Sequence, residues 1–263
     1  MKKILVAGIA IAACCGAPAL AADLPINAPV FKAPVAAPVY SWIGCYIGGN
    51  VGYGWQGNKP SDPSFSGDIG SDTGSGVVGG GQVGCDYQFS GSKWVVGIAG
   101  MFDGAGVKGS HSVPFAYAGD SAETMTFNTD WFATLTGRVG YAVVPQALLY
   151  FKGGAAWAHT TYSDVDPSGA TYAPFSGQAN ATPSGWTIGG GTEYAFRPNW
   201  SVFVEYDYID LGSRNVALTY NCGAGCGFAN PYTFRETQNL QTILVGLNYR
   251  FGGIGTAPFS ARY

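Results

Sequence analysis

The sequence predicts an all-β protein: a closed antiparallel eight-stranded transmembrane β-barrel with short periplasmic turns at one end and long extracellular loops at the other. Three observations carry this. About eight short segments alternate apolar or aromatic residues with Gly, Thr or charge; no apolar run is long enough for a spanning helix; and the connections alternate between tight and long. Alternation at period two puts grease on one face of a strand and polarity on the other. An apolar exterior around a small, polar interior suits a bilayer.

The elements follow in chain order. Residues 1–21 read as a secretory signal peptide: Lys2 and Lys3 precede an apolar stretch from Ile4 to Ala13, and Ala19-Leu20-Ala21 offers a small-x-small site for cleavage before Ala22, or one residue later before Asp23. The apolar run falls short of the roughly 20 residues that a spanning helix needs. Ile11-Ala12-Ala13-Cys14 also has the outline of a lipobox, a second and less favoured reading. Residues 22–39 (ADLPINAPVFKAPVAAPV) form a Pro/Ala-rich lead-in, too proline-rich to join a sheet and read as an extended periplasmic linker. The barrel takes residues 40–263, with no second compositional shift inside it.

The first strand runs from Ile43 to Trp55, with Ile43, Cys45, Ile47, Val51, Tyr53 and Trp55 on one face and Gly44, Tyr46, Gly48, Asn50 and Gly52 on the other. The second turns Val77, Val83, Cys85, Tyr87 and Phe89 outward against Gly80, Gln82, Gly84, Asp86 and Gln88. Trp94, Val96, Ile98 and Phe102 mark the third, and Trp131, Leu135, Val139 and Tyr141 the fourth, opposite Thr134, Thr136, Arg138 and Gly140. The fifth sets Leu149, Phe151, Ala155 and Trp157 against Tyr150, Lys152, Gly154 and Ala156. Trp186, Ile188, Tyr194 and Phe196 face lipid on the sixth, with Glu193 inward; on the seventh Trp200, Val202, Val204, Tyr206 and Tyr208 oppose Glu205 and Asp207. The eighth sets Ile243, Val245, Leu247, Tyr249 and Phe251 against Thr242, Asn248 and Arg250.

Ser90–Ser92, Val144–Ala147 and Arg197–Asn199 are tight turns, whereas Gln56–Gly76, Gly104–Thr124, Tyr162–Ser184 and Gly212–Gln238 are long and polar. That asymmetry puts both termini in the periplasm. A soluble lipocalin-like barrel would bury its apolar faces inside, and here the faces left outside would carry the glycines while the large aromatics shared the other side.

Composition agrees. Of 263 residues 41 are Gly and 14% are aromatic, while only 11% are charged against about 25% in soluble domains. Glycine fits where a crowded lumen leaves no room, and aromatics fit the two water interfaces. The formal charge of −3 becomes more acidic once Lys2 and Lys3 leave, so nothing invites nucleic acid.

Counted from the short turns, Arg138, Lys152, Glu193 and Glu205 lie at similar heights on four successive strands and are candidates for one ion-pair layer. Such a layer is either a gate across a narrow ion path or a plug that fills the lumen. Eight strands leave an interior just wide enough for side chains, which favours the plug.

Catalysis finds little support. His111 lies in a loop and His159 near the outer rim, and no Ser, His and acid share adjacent strand faces. Asp62, Asp68, Asp72, Asp164 and Asp166 lack the spacing of a calcium loop. No enzyme activity, cofactor or metal is expected. Cys222 and Cys226 are candidates for a loop disulfide in an exported protein. Cys45 and Cys85, outward on neighbouring strands, read as small apolar residues facing lipid in preference to a cross-strand bond.

The motifs ADLP and APV after the leader, then WIGCYIGGNVGYGW, LLYFKGGAAWA, WSVFVEYDYIDLG and LVGLNYRFGG, resemble in order and spacing the porin-family outer-membrane β-barrels of alphaproteobacteria, relatives of the OmpA-type eight-stranded transmembrane barrel. The resemblance covers nearly the whole mature chain. It implies an integral protein of the cell outer membrane with surface-exposed loops, serving a structural or surface role with at most a narrow pore. A general diffusion porin and a loop-based adhesin are the alternatives. Implied partners are outer-membrane lipids and lipopolysaccharide and the outer-membrane assembly machinery, with a homo-oligomer as a further candidate. No segment resembles a peptidoglycan-binding domain, and Phe251 and Tyr263 are both candidates for the C-terminal assembly signal.

Overall fold

A closed ring of backbone pairings organises the computed structural model, which describes residues 40–61, 71–113, 123–166, 175–222 and 230–251. The segments are β1 (Gly44–Ser61), β2 (Asp72–Gln88), β3 (Trp94–Val113), β4 (Glu123–Val144), β5 (Ala147–Asp166), β6 (Phe175–Ala181), β7 (Ser184–Arg197), β8 (Trp200–Cys222) and β9 (Tyr232–Arg250). Each pairs antiparallel with its neighbours, and β1 pairs with both β2 and β9, so the wall returns to its start. Closure leaves no edge strand for lipid to leave unsatisfied.

Among the described residues nine segments fill eight places. β6 and β7 lie end to end against β5, separated at Thr182-Pro183. Proline has no N–H to give the ladder, so the strand breaks there. The Pro183 carbonyl still accepts from the Ala158 N–H at 3.0 Å, which keeps the wall joined.

Exposure follows the predicted alternation. Ile47, Val51, Val83, Ile98, Leu135, Val139, Phe151, Ile188, Val204 and Leu247 are exposed, while their even- or odd-numbered neighbours turn inward. Aromatic pairs gather at two levels. Tyr87 and Phe89 (centroids 5.4 Å apart), Trp94 and Tyr141 (5.3 Å), and Trp200 and Tyr249 (5.2 Å) lie beside the short turns. Tyr53 and Trp55 (5.3 Å), Phe102 and Trp131 (5.5 Å), and Trp186 and Tyr208 (5.8 Å) form the outer set. These are the two interfacial girdles of a membrane barrel.

The strands continue well past the outer girdle. About 9–11 residues cross a bilayer, yet β4 has 22 and β8 has 23. Much of what reads as loop in the sequence, including His111 on β3, is therefore barrel wall standing above the membrane. Register shifts at Gly104/Val107, Thr129/Trp131 and Asp210/Ser213 mark where the wall changes course. Gly212, at φ 67°, takes up the last of these, its N–H bonded to the Asp210 carboxylate at 2.7 Å.

Two expectations change. Cys45 and Cys85 stand directly opposite each other on β1 and β2 and are joined by a disulfide, so they are not free thiols facing lipid. The interior is not uniformly polar either: among the described residues it holds three buried apolar clusters separated by polar layers. Cys226, residues 1–39, Asp62 and Asp68 lie outside the described residues.

Candidate functional site

The lumen is filled in layers. At the periplasmic end Trp42, which precedes β1, folds inward and is fully buried with Val95, Ala142, Leu148 and Tyr150. Its indole N–H donates to the Pro145 carbonyl at 3.0 Å and its backbone N–H to Gln88 Oε1 at 3.0 Å. Tyr40 packs edge-on against it at 5.0 Å, and burial pushes the Tyr40 phenol above its ordinary range. Continuing the period-two count back from Tyr46 and Gly44 places position 42 on the inner face, a signal the sequence reading left unused.

Above Trp42 lies a balanced four-charge cluster. Arg138 on β4 holds Asp86 on β2 through two hydrogen bonds, the Nε one at 2.7 Å, and reaches Glu193 on β7 at 3.2 Å. Arg250 on β9 pairs with Asp86 at 2.8 Å and Glu193 at 3.5 Å. Ser201 and Asn248 donate to Glu193 at 2.6 and 3.0 Å. Tyr46 lies 4.8 Å from the Arg138 guanidinium and 5.0 Å from that of Arg250, and Trp42 lies 5.2 Å from the latter. Burying charges is costly unless they are paired, and each charge of this cluster faces an opposite one.

A second cluster stands beside it. Lys152 on β5 pairs with Glu205 at 2.5 Å and Asp207 at 2.9 Å, both on β8, and the Tyr150 hydroxyl donates to Glu205 at 2.7 Å. The four predicted residues are thus all buried in the lumen, but they divide: Arg138 with Glu193, and Lys152 with Glu205. Asp86, Asp207 and Arg250 complete the two groups. The sequence reading placed these three inward without assigning them to the layer, because partners two strands apart cannot be read from alternation alone.

In four register rows the reach across an intervening strand has one cause. Asp86, Gly97 and Arg138 share a register row on β2, β3 and β4; Gln82, Gly48 and Asn248 share another; Lys152, Gly189 and Asp207 a third; Tyr150, Gly191 and Glu205 a fourth. In each row the middle strand contributes glycine. A Cβ at Gly97 would stand 2.1 Å from Asp86 Oδ1, and one at Gly189 2.0 Å from Asp207 Oδ1. The missing side chain is the passage through which the outer two meet.

Farther out, Val78, Met101, Phe132, Phe203, Leu240 and Leu244 pack across the axis. A polar ring follows: Thr129 donates to Gln56 at 2.6 Å and meets Thr160 at 3.0 Å, and Gln238 donates to Thr160 at 3.0 Å. Phe127, Tyr162, Val216, Leu218, Tyr220 and Phe234 close the outer end. There the Tyr220 hydroxyl donates to Asp164 at 2.7 Å. His159 faces out, stacked on Trp131 at 5.9 Å and bonded to Thr182 at 3.0 Å. Among the described residues no group of three or more His, Cys, Asp or Glu is arranged to hold a metal ion.

Comparison with known proteins agrees with this architecture. A 31 kDa outer-membrane immunogenic protein of Brucella melitensis is 35% identical over 95% of this chain and 100% of its own. A 25 kDa outer-membrane immunogenic protein of Brucella abortus is 28% identical over 89% of this chain and 92% of its own. The crystal structure of the outer membrane protease OmpT from Escherichia coli covers 82% of this chain and 99% of that one, with a TM-score of 0.50 at 9% identity, a likeness of fold alone. The model of the outer membrane protein beta-barrel domain matches residues 7–251. The chain is an outer-membrane β-barrel and belongs to that family.

Proposed function

We propose that the protein is a non-enzymatic structural and surface barrel whose lumen does not conduct. The observation that carries this reading is the succession of buried layers along the axis: Trp42 under Arg250, the two charge clusters, the apolar cluster around Phe132 and Phe203, and the outer cluster around Phe127 and Tyr220. An ion would have to displace paired charges and then cross apolar packing. The plug reading of Arg138, Lys152, Glu193 and Glu205 follows.

The same construction supports a role at the cell surface. A barrel wall that carries its own apolar core above the membrane holds the outer connections on a rigid platform, and the relatives' names describe outer-membrane immunogenic proteins. The exposed apolar belt and its girdles would contact outer-membrane lipid and lipopolysaccharide.

Single-channel recording of the refolded protein in planar bilayers tests the proposal. The expected result is no steady conductance, unchanged in Glu205→Ala. A stable ohmic channel in the native protein sinks the closed-lumen reading.

A further inference from the structure

The ladder between β1 and β2 is poor in side chains. Ten of its fifteen register rows contain glycine; the five without it are Cys45 with Cys85, Ile47 with Val83, Tyr53 with Val77, Trp55 with Ser75 and Asn58 with Asp72. Between β8 and β9 one row of seventeen, Phe203 with Gly246, contains glycine. Cross-strand side-chain pairs help to set the register of a sheet, and glycine-rich strands are prone to slip. A slip of two residues keeps every residue on its own face, because the side-chain period is two. The lumen ties of β2 do not act within the hairpin. Asp86 is held by Arg138 on β4 and Arg250 on β9, and Gln82 by Asn248 on β9, contacts that exist only once the wall has closed.

One covalent link does act within it. Cys45 and Cys85 stand directly opposite each other and are bonded. A two-residue slip would carry them about 7 Å out of opposition along the strands, beyond the reach of a disulfide. The surroundings of the bond limit when it can form. Both cysteines are exposed on the outer face. They lie between Phe251, whose N–H donates to the Cys45 carbonyl at 2.8 Å, and Ile98, paired in register with Cys85. The next outward residues along the chain, Ile43, Ile47, Val83 and Tyr87, are exposed apolar or aromatic side chains of the membrane belt. Thiol–disulfide exchange requires a thiolate with access to the sulfur under attack. A site covered by lipid offers a charged attacker no water.

We propose that the bond between Cys45 and Cys85 is closed in the periplasm, before the barrel enters the membrane, and holds the glycine-rich β1–β2 hairpin in its one register. The partner this requires is a periplasmic disulfide donor, and the bacterial periplasm is kept oxidising. The thiolate of one cysteine attacks the donor's disulfide and forms a mixed disulfide. The thiolate of the other then displaces the donor's sulfur, which closes the bond between Cys45 and Cys85. Two electrons pass from the cysteine pair to the donor, which leaves as a dithiol with the two protons.

The test follows the full chain in a Gram-negative host, carrying Cys222→Ser and Cys226→Ser so that Cys45 and Cys85 are the cysteines left once the leader is removed. After a pulse of label, denatured samples are treated with a maleimide polymer that adds mass at each free thiol, and the shift between boiled and unboiled bands in detergent gels reports folding. Mature chains that have not yet reached the folded band should already resist the maleimide. The folded barrel in lipid vesicles should keep its bond in dithiothreitol under conditions that fully reduce the unfolded chain. Cys45→Ala/Cys85→Ala should reach the folded band several-fold more slowly, and its β1 and β2 peptides should show two populations in amide hydrogen exchange where the native barrel shows one. Should that variant fail to fold, the native chain refolded into vesicles with and without dithiothreitol gives the same comparison. Free thiols in every chain short of the folded band, with the bond appearing only afterwards, overturn the proposed order, as does reduction of the folded barrel as fast as the unfolded chain. An unchanged folding rate with a single exchange population in the absence of the bond overturns its role in register.

Discussion

A Cβ added at Gly97, on the inner face of β3, would meet the Asp86 carboxylate at 2.1 Å; one added at Gly137, on the outer face of β4, would find its nearest atom 4.0 Å away. The same residue type serves the two faces of one wall differently. Inside, glycine is a gap through which side chains two strands apart reach each other, as Asp86 reaches Arg138 across Gly97 and Lys152 reaches Asp207 across Gly189. Outside, Gly100, Gly104 and Gly137 have room for a methyl group, and the fold places no such demand on them. Glycine content alone therefore says nothing about necessity; the room at each position decides.

The largest effect expected from this contrast is at Gly97. In Gly97→Ala the new methyl group would stand between Asp86 and Arg138 and 2.8 Å from the Cys85 carbonyl, so the pair must separate or the strands must move apart. Breaking a buried pair typically costs about 3–5 kcal/mol. Urea unfolding of the barrel in detergent measures it. Native-like stability of Gly97→Ala would mean that the Asp86 and Arg138 contact does not need the gap.

The second test compares the faces directly. Val204 is exposed in the apolar belt, and Val204→Arg should cost about 2–4 kcal/mol near the bilayer midplane. Thr136 points inward on β4, its hydroxyl donating to the Ala99 carbonyl at 3.4 Å, and Thr136→Ser keeps that donor. Refolding into lipid vesicles separates the two. Equal losses at both positions would place lipid and lumen on the wrong faces.

How much of this was legible in the sequence depends on whether the information is local. Which face a residue takes is local, and alternation placed Arg138, Lys152, Glu193 and Glu205 on the inner face where they are buried. Partner choice is not local. Arg138 meets Asp86 because of register and because Gly97 stands between them, and Arg250 meets Glu193 across β8; neither follows from one strand's pattern. The bond between Cys45 and Cys85 was the less favoured of two readings for the same reason: the two lie 40 residues apart, and only the register of β1 with β2 sets them directly opposite. The height of the wall was missed for another. Above the outer girdle both faces of a strand meet water or a mixed interior, the lipid-driven alternation fades, and segments such as Gly104–Val113 read as loop. The apolar layers inside the lumen, Phe132 and Phe203 among them, went unseen because a polar interior is the default for a membrane barrel and a packed one is not.

The smallest expected effect has the opposite sign. Gly137 is paired in register with Gly153 on β5 and Ile98 on β3, faces outward, and leaves open space where a methyl group would sit. Glycine inside a strand is destabilising by roughly 0.5–1 kcal/mol relative to alanine, because it gives up more backbone freedom on folding. Gly137→Ala should therefore stabilise the barrel by an amount of that order, with unaltered mobility of the unboiled band. The same unfolding assay used for Gly97→Ala reads it, so the two substitutions form a matched pair: one chemical change, two faces, opposite signs. A loss of stability at Gly137 would show that the outer face also needs close approach there, and the difference between the two walls would then be one of degree.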